Sequence, residues 1–310
     1  MKVNILMSTY NGERFLAEQL DSIIAQSYQD WQLLIRDDGS SDQTRDIIKN
    51  YCLKDQRIHF VNENETANYG VIKSFFSLLK HEKADFYFFS DQDDVWMFNK
   101  LDISLAEAKK YDASKPLLVY TDLKVVNSEL EVLHESMIRT QSHHANTQLV
   151  QELTENTVTG GTALINHALA EQWLTTENLL MHDWYLALVA SAMGDLVYID
   201  IPTELYRQHE DNVLGARTWS KRMKNWVKPH KLVEKYWWLI ASSQTQARFL
   251  LDLNLSQTDR DLVETFVNIL EQPLLARIRN LFHYKLRKNR SFHTLVFRTL
   301  IITKFGYRRK

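Results

Sequence analysis

The chain has 310 residues, 45% of them hydrophobic, with one cysteine, eight glycines and four prolines. This supports a sizeable core, as one large domain or a domain plus an extension, and excludes collagen-like repeats, an intrachain disulfide and a zinc site built from cysteines. The net charge of −2 hides a split: residues 217–310 hold 20 Lys and Arg against 6 Asp and Glu, or +14, while residues 1–216 hold 17 against 33, or −16.

Such polarity predicts different partners for the two parts, divided here as 1–216 and 217–310. The opening "MKVNILMSTYNGE" has no cationic leader, long apolar core or cleavage site, which predicts a cytoplasmic chain. No apolar run approaches the ~20 residues that span a bilayer.

In chain order, "KVNILMS" reads as a strand and "ERFLAEQLDSIIAQS" as a helix with apolar residues at helical spacing. "WQLLIRDDGSSD" is a strand running into a polar turn. Ser41 or Asp42 then caps a helix over "DQTRDIIKNYCL". "RIHFVN" is a strand, "GVIKSFFSLLK" a helix, and "ADFYFFS" a strand apolar on both faces, as at a sheet centre. "KLDISLAEAKKY" and "PLLVYTDLKVVN" follow as helix and strand. The alternation predicts an α/β domain with a mainly parallel sheet. Past residue 127 the pattern weakens. "GGTALIN" and "GDLVYID" read as short strands around the helix "DWYLALVASAM". From about residue 217 the chain reads as helical, with a capping box at Ser256 and Asp259 and a helix start at Pro273.

Polar clusters end the strands: "STYNGE", "RDDGSSD" and "SDQDD". In open α/β sheets ligands bind beyond the carboxyl ends of strands. Asp91, Asp93 and Asp94 fall within four positions, and such like charges need a partner. In extended backbone Asp91 and Asp93 share a side. Hard oxygen donors without cysteine suit Mg2+ or Mn2+. The glycine fingerprints of dinucleotide and P-loop sites are missing, so a diphosphate would need a metal and basic side chains.

The segments "STYNGERFLAEQLDSIIAQSYQDWQLLIRDDGSSDQT", "FFSDQDDVW", "TGGTALIN", "MHDWYLALVA" and "YRQHEDNVLG" together resemble family 2 glycosyltransferases of the GT-A fold, in the family's order, within residues 4–215. Within the family the sequence is most similar to rhamnosyltransferases of bacterial cell-wall rhamnose polysaccharides. The resemblance implies a metal-dependent, inverting, nonprocessive transfer from a dTDP- or UDP-sugar. The acceptor would be a polyprenyl-diphosphate-linked glycan or a polysaccharide. Thr9, Tyr10 and Glu13 would border the nucleotide, and Asp38 would accept a hydrogen bond from the pyrimidine N–H. The family's basic "ARN" is replaced by a segment offering Asn68 and Lys73. Asp93 would bind the metal, with Asp91 on the ribose or the metal shell. His209 would touch metal or diphosphate, and Arg207 the phosphates. Asp183, in the place of the family's "ED" motif, would be the base, with His182 beside it. Trp96, Thr159, Gly160 and Gly161 would line the acceptor side. "RTQSHHANTQ" is read as a loop that could close over the donor.

Residues 273–310 hold 11 Lys and Arg and no acid. Leu274, Leu275, Ile278, Leu281 and Phe282 form an apolar stripe there. Trp219, Trp226, Trp237 and Trp238 lie among basic residues upstream. This combination suits an anionic bilayer surface, on the inner face of the cell membrane, and no nucleic-acid motif accompanies it. Two readings compete with the enzyme: a nucleotidyltransferase, and an idle glycan- or membrane-binding module. The first would need a basic glycine-rich loop after strand one, and the second predicts lost acids.

Overall fold

The structure, a computed structural model, describes residues 1–209 and 229–307. The first stretch runs β1 (Val3–Thr9), α1 (Leu16–Ile24), β2 (Gln32–Asp37), α2 (Thr44–Lys54), β3 (Ile58–Phe60), α3 (Val71–His81), β4 (Phe86–Ser90), β5 (Val95–Trp96) and α4 (Lys100–Ala108). It continues with β6 (Leu117–Val126), β7 (Val132–His134), α5 (Leu149–Glu152), β8 (Ala163–Asn166), α6 (His167–Gln172), α7 (His182–Met193) and β9 (Asp195–Arg207). The second stretch holds α8 (Pro229–Arg248), α9 (Gln257–Val267), α10 (Leu274–His283) and α11 (Ser291–Thr303).

One sheet orders the strands β3-β2-β1-β4-β8-β6-β9-β5, with β7 beside β6. The first four strands are parallel. The sheet is mainly parallel as expected, with β6 and β9 also paired in parallel, and antiparallel neighbours enter beyond β4. There β8 lies antiparallel to both β4 and β6, and β5 antiparallel to β9. The short segment "GGTALIN" thus enters the sheet centre without a helical crossover, which an antiparallel neighbour does not need. The strand read as "GDLVYID" extends to Arg207, so part of "YRQHEDN" is strand.

Side chains alternate across the pleat and supply two cores. Leu6, Leu34, Tyr87, Phe89, Leu118 and Tyr120 face α3, α7 and the C-terminal helices. Ile5, Met7, Leu33, Ile35, Phe88 and Val119 face α1 and α4. Helix α7 is buried along residues 182–190. A helix apolar on nearly all sides has no wet face, so polar residues at its start are carried into the interior.

The loop "RTQSHHANTQ" is partly helical, as a π turn over Ile138–Ser142, and Asn146 within it is buried. The Arg290 guanidinium donates to the Thr140 carbonyl and fastens this turn to the C-terminal helices. Ser256 caps α9 as expected, its Oγ accepting from Asp259 N at 3.1 Å, but the Asp259 carboxylate accepts from the Ser256 hydroxyl at 2.6 Å, a one-sided form of the expected capping box. Asp42 stands two residues before α2 and accepts from Thr44 N at 3.0 Å. The 216/217 boundary, Trp219 and Trp226 lie outside the described residues.

The C-terminal helices share the first core: Leu281, Leu286, Phe297, Leu300 and Ile301 belong to the same buried cluster as Leu6 and Trp184. Polar bonds add to this. Lys288 Nζ donates to the Thr154 carbonyl, and Asn289 N donates to Glu155 at 2.8 Å. Phe297→Ala should therefore cost about 3–5 kcal/mol. In urea denaturation followed by tryptophan fluorescence, the loss should appear as one transition for the whole chain. A separate early transition of the C-terminal helices would contradict the shared core.

Candidate active site

The turn after β2 is built on two aspartates. Asp37 Oδ2 accepts from Gly39 N, Ser40 N and Arg45 Nη1 at 3.0–3.2 Å, and its Oδ1 accepts from Thr9 Oγ1 at 3.1 Å. Thr9 is thereby buried in the turn. Asp38 Oδ1 accepts from Arg36 Nη1 and Tyr69 N, both at 2.6 Å, and from Ser74 Oγ at 3.1 Å; Oδ2 accepts from Gly70 N at 2.8 Å. Burial pushes the Asp38 carboxyl up, but the bonds from Tyr69, Arg36, Gly70 and Ser74 outweigh it and hold it below the ordinary range. A carboxylate oxygen can take two donors, so among the described residues Oδ2 retains acceptor capacity. Asn68 and Lys73 stand exposed on either side of Tyr69 and Gly70. Glu13 is occupied elsewhere: its carboxylate accepts from Gln43 N at 2.9 Å, at the start of α2.

Tyr10, just past β1, is 52% exposed. Its backbone is clasped by the Gln92 amide, which accepts from Tyr10 N at 2.8 Å and donates to Tyr10 O at 2.9 Å. Gln92 thus ties the end of β1 to the acid loop after β4.

That loop concentrates negative charge. Burial, then Asp93, Glu204 and Asp183, push the Asp91 carboxyl up to about 8. Burial, then Glu204 and Asp93, hold Asp94 well above the usual range. Asp94 Oδ1 accepts from Arg207 N at 2.9 Å. Asp93 Oδ2 lies 2.7 Å from His209 Nε2. Among the described residues, no three His, Cys, Asp or Glu side chains form a ready-made metal cage. Two facing donors beside a surplus of carboxylates still fit a hard divalent ion. Mg2+ in particular keeps water and substrate phosphates as most of its ligands.

Asp183 lies at the N-terminus of α7 and is 6% exposed. It accepts from Trp184 N at 2.6 Å, and the Gly160 backbone also donates to it. Burial raises its pKa to about 7, against these bonds. His182 sits in an aromatic cage: its ring stacks on Trp173 at 5.9 Å and leans on Phe75 at 4.6 Å and Phe89 at 5.1 Å. Burial lowers its pKa to about 4, so it is neutral at pH 7. A Cβ at Gly160 would stand 3.1 Å from His182 Nε2, and one at Gly161 would stand 2.5 Å from Glu204 Oε1. Glycine at 161 leaves the space that the buried Glu204 carboxylate occupies, and Gly160 sits close against the His182 ring. Thr159 precedes it, its hydroxyl pointing at Met137 Sδ, 3.8 Å away.

Two expected site residues are placed otherwise. Trp96 is 3% exposed and packs on Phe88 with ring centroids 6.0 Å apart, so its face is core, not a sugar platform. Arg207 is 1% exposed. Its guanidinium donates to Asp93 O at 2.8 Å, to Ser128 O and to the Glu18 carboxylate, so it braces the acid loop from behind. Both corrections have one cause: β5 pairs with β9 and folds the chain after the acids inward.

Sequence reasoning missed Lys100, Glu204, Arg36 and Gln92. Lys100 and Glu204 are fully buried and paired, and Lys100 Nζ also donates to the Gly161 carbonyl. Its ammonium lies 4.4 Å from the centroid of the Trp96 ring. The available signal was faint: a lysine opening a helix and a glutamate inside a strand usually read as solvated.

Removing one partner of a buried pair leaves an uncompensated charge. Lys100→Met should therefore destabilise the fold by about 3–5 kcal/mol, and the double change Lys100→Met with Glu204→Met should recover much of that. Urea midpoints of the three proteins check this. Equal losses in the single and double variants would mean that the pair is not the stabilising unit.

The chain matches Glycosyl transferase family 2 over residues 4–174. It is 30% identical over 223 residues to the dTDP-rhamnosyl transferase RfbG of Shigella flexneri, across 68% of this chain and 74% of that protein. It is 32% identical over 126 residues to WfgD of Escherichia coli, a UDP-Glc:alpha-D-GlcNAc-diphosphoundecaprenol beta-1,3-glucosyltransferase, across 41% of this chain and 47% of that one. In fold it resembles S. aureus TarS 1-349, solved with UDP-GlcNAc, with a TM-score of 0.61 at 19% identity, covering 92% of this chain and 80% of that one. The sheet is therefore of the GT-A type, and the chain belongs to glycosyl transferase family 2.

Proposed function

We propose that this protein is an inverting, nonprocessive, metal-dependent glycosyltransferase of cell-wall polysaccharide synthesis. Its donor is dTDP-L-rhamnose, and its acceptor is a hydroxyl of a lipid-linked glycan or polysaccharide. The observation that carries the reading is Asp183, a buried carboxyl raised to about 7 at a helix start, close enough to Asp91 to raise that group too. A base with a pKa near the working pH is what proton removal from a hydroxyl requires. The acceptor oxygen forms the new bond to the anomeric carbon as the bond to the nucleotide diphosphate breaks, and its proton passes to Asp183. Mn2+ or Mg2+, held by Asp93 and His209 with Asp91 beside them, would supply charge neutralisation for the departing diphosphate.

Other residues position these groups. Asp38 accepts from the N3–H of thymine or uracil, with Tyr10, Asn68 and Lys73 around the nucleotide. Thr159 and the Gly160–Gly161 turn border the acceptor side, and the caged, buried His182 supports that turn from behind. Lys100 holds the Gly161 carbonyl and so steadies the turn whose Gly160 N–H meets Asp183. The rhamnose assignment is supported by the likeness to a dTDP-rhamnosyl transferase. The alternative is a UDP-hexose donor, supported by the names of WfgD and of the TarS complex. A cytoplasmic location on the inner face of the membrane belongs to the same proposal.

A panel of dTDP- and UDP-sugars, with release of the nucleotide diphosphate as readout, tests the donor. dTDP-rhamnose should turn over fastest with Mn2+ or Mg2+ present. Turnover of UDP-glucose alone would select the alternative.

Asp93→Asn should abolish metal-dependent turnover without lowering the melting temperature. Unchanged turnover in a folded variant would remove Asp93 from the metal site.

Asp183→Asn should keep donor affinity and lose about 10²–10⁴-fold in turnover. Asp183 acts as the ionised base, so wild-type turnover should fall as the pH drops through about 7 and level off above it. Turnover that stays flat from pH 8 to pH 5.5 would exclude Asp183 as the base.

A further inference from the structure

The C-terminal helices present two different surfaces. Their inner side is part of the shared core and carries Arg277 and Lys288, both buried. Their outer side is apolar and basic together. On α10, Leu275, Arg279 and Phe282 recur at the spacing of one helix face, and all three are exposed, Leu275 at 80% and Phe282 at 57%. On α11, Phe292, Leu295 and Thr299 form a second exposed face, with Phe292 at 53% and Leu295 at 65%. The two helices lie side by side, because the Arg298 guanidinium sits over the Phe282 ring at 4.7 Å. Lys285 and Arg287 stand exposed in the turn between them, while Lys288 and Arg290 point back to the Thr154 and Thr140 carbonyls. The basic run is thus sorted, some cations tying the helices down and others facing out around exposed apolar side chains. No Asp or Glu falls anywhere in residues 273–310.

We infer that the outer face of α10 and α11 docks on an anionic bilayer, with Leu275, Phe282 and Leu295 entering the headgroup boundary and Arg279, Lys285 and Arg287 meeting lipid phosphates, while Arg298 stays on the Leu286 carbonyl. Charge complementarity selects this occupant. A cationic face with apolar side chains at its centre and no acid is matched by a negatively charged lipid surface, and interfacial helices combine these two features. A second copy of the same face would oppose cation to cation. The inference gives the proposed lipid-linked acceptor a place to be met. It rests on that reading only for its purpose, since docking requires no turnover.

Deleting the segment would be a poor test, because the deletion also removes core residues. Surface substitutions avoid this. Cosedimentation of the full chain with vesicles of phosphatidylcholine, alone or with phosphatidylglycerol, should show binding only to the anionic vesicles. Binding should weaken as salt shrinks the Debye length to ~3 Å at 1 M. The triple variant Leu275→Asp, Phe282→Asp, Leu295→Asp should lose at least tenfold in binding. Arg279→Glu with Lys285→Glu should lose more than tenfold, since each basic residue near an anionic surface contributes about fivefold. Both variants should keep the wild-type melting temperature and wild-type turnover on a water-soluble acceptor. Failure of the wild type to bind anionic vesicles, or equal binding by both variants, would overturn the inference. So would a wild-type dimer in light scattering that the triple variant dissolves while vesicle binding is unchanged. Vesicle binding that follows these rules in a protein without turnover would leave the docking face standing and reject the proposed activity.

Discussion

The arrangement depends on a surplus of negative charge at the carboxyl end of the sheet. Asp91, Asp93, Asp94, Asp183 and Glu204 meet there with Lys100 as the buried ammonium among them. Burial first, and repulsion by neighbouring acids second, raise the proton affinities of Asp91 and Asp94, while burial raises that of Asp183. The strain can be relieved by a proton or by an added cation. In the proposed reaction that cation would be the divalent ion, arriving with the phosphate-bearing donor.

Buried cations hold that surplus in shape. Arg36 pairs with Asp38 and also donates to Ser74 and the Ala67 carbonyl, so it fixes the turn after β2 against the start of α3. Arg207 grips the backbone and flank of the acid loop. Lys100 joins α4, β9 and the Gly160–Gly161 turn. A guanidinium offers five donors in a fixed fork, which suits the bracing of several carbonyls at once. The same residue types are usual phosphate partners, so an arginine next to a binding motif has two opposite fates. Whether its tip reaches solvent decides between them.

The C-terminal helices extend this division between bracing and contact. Their inner side completes the core that buries α7, and α7 in turn carries Asp183 into low-dielectric surroundings. The proton affinity of the candidate base is therefore linked to segments far away in sequence. A domain boundary drawn on charge alone does not reveal this link, since charge reports on surfaces and the link is made by apolar contact.

Much was legible in the chain itself. Period-two and helical apolar patterns located β1 to β4 and their helices, because local periodicity follows from which face is buried. The acids after β4 and the paired aspartates after β2 could be found because turns have local signatures, and Asp183 through the family resemblance. The antiparallel entry of β8 could not, since a strand of four residues pairs by tertiary contact and carries no mark of direction. Nor could the inward turn of Trp96 and Arg207, the burial of Lys100 with Glu204, or the aromatic cage around His182. Each is a contact between residues tens of positions apart, and a titratable side chain reads the same in sequence whether it meets water or a buried partner. The sequence by itself determined the main elements of the first half and the acids at the strand ends. Tertiary packing alone decided which of those groups face the cleft and which hold it together, because burial and pairing are properties of the assembled neighbours.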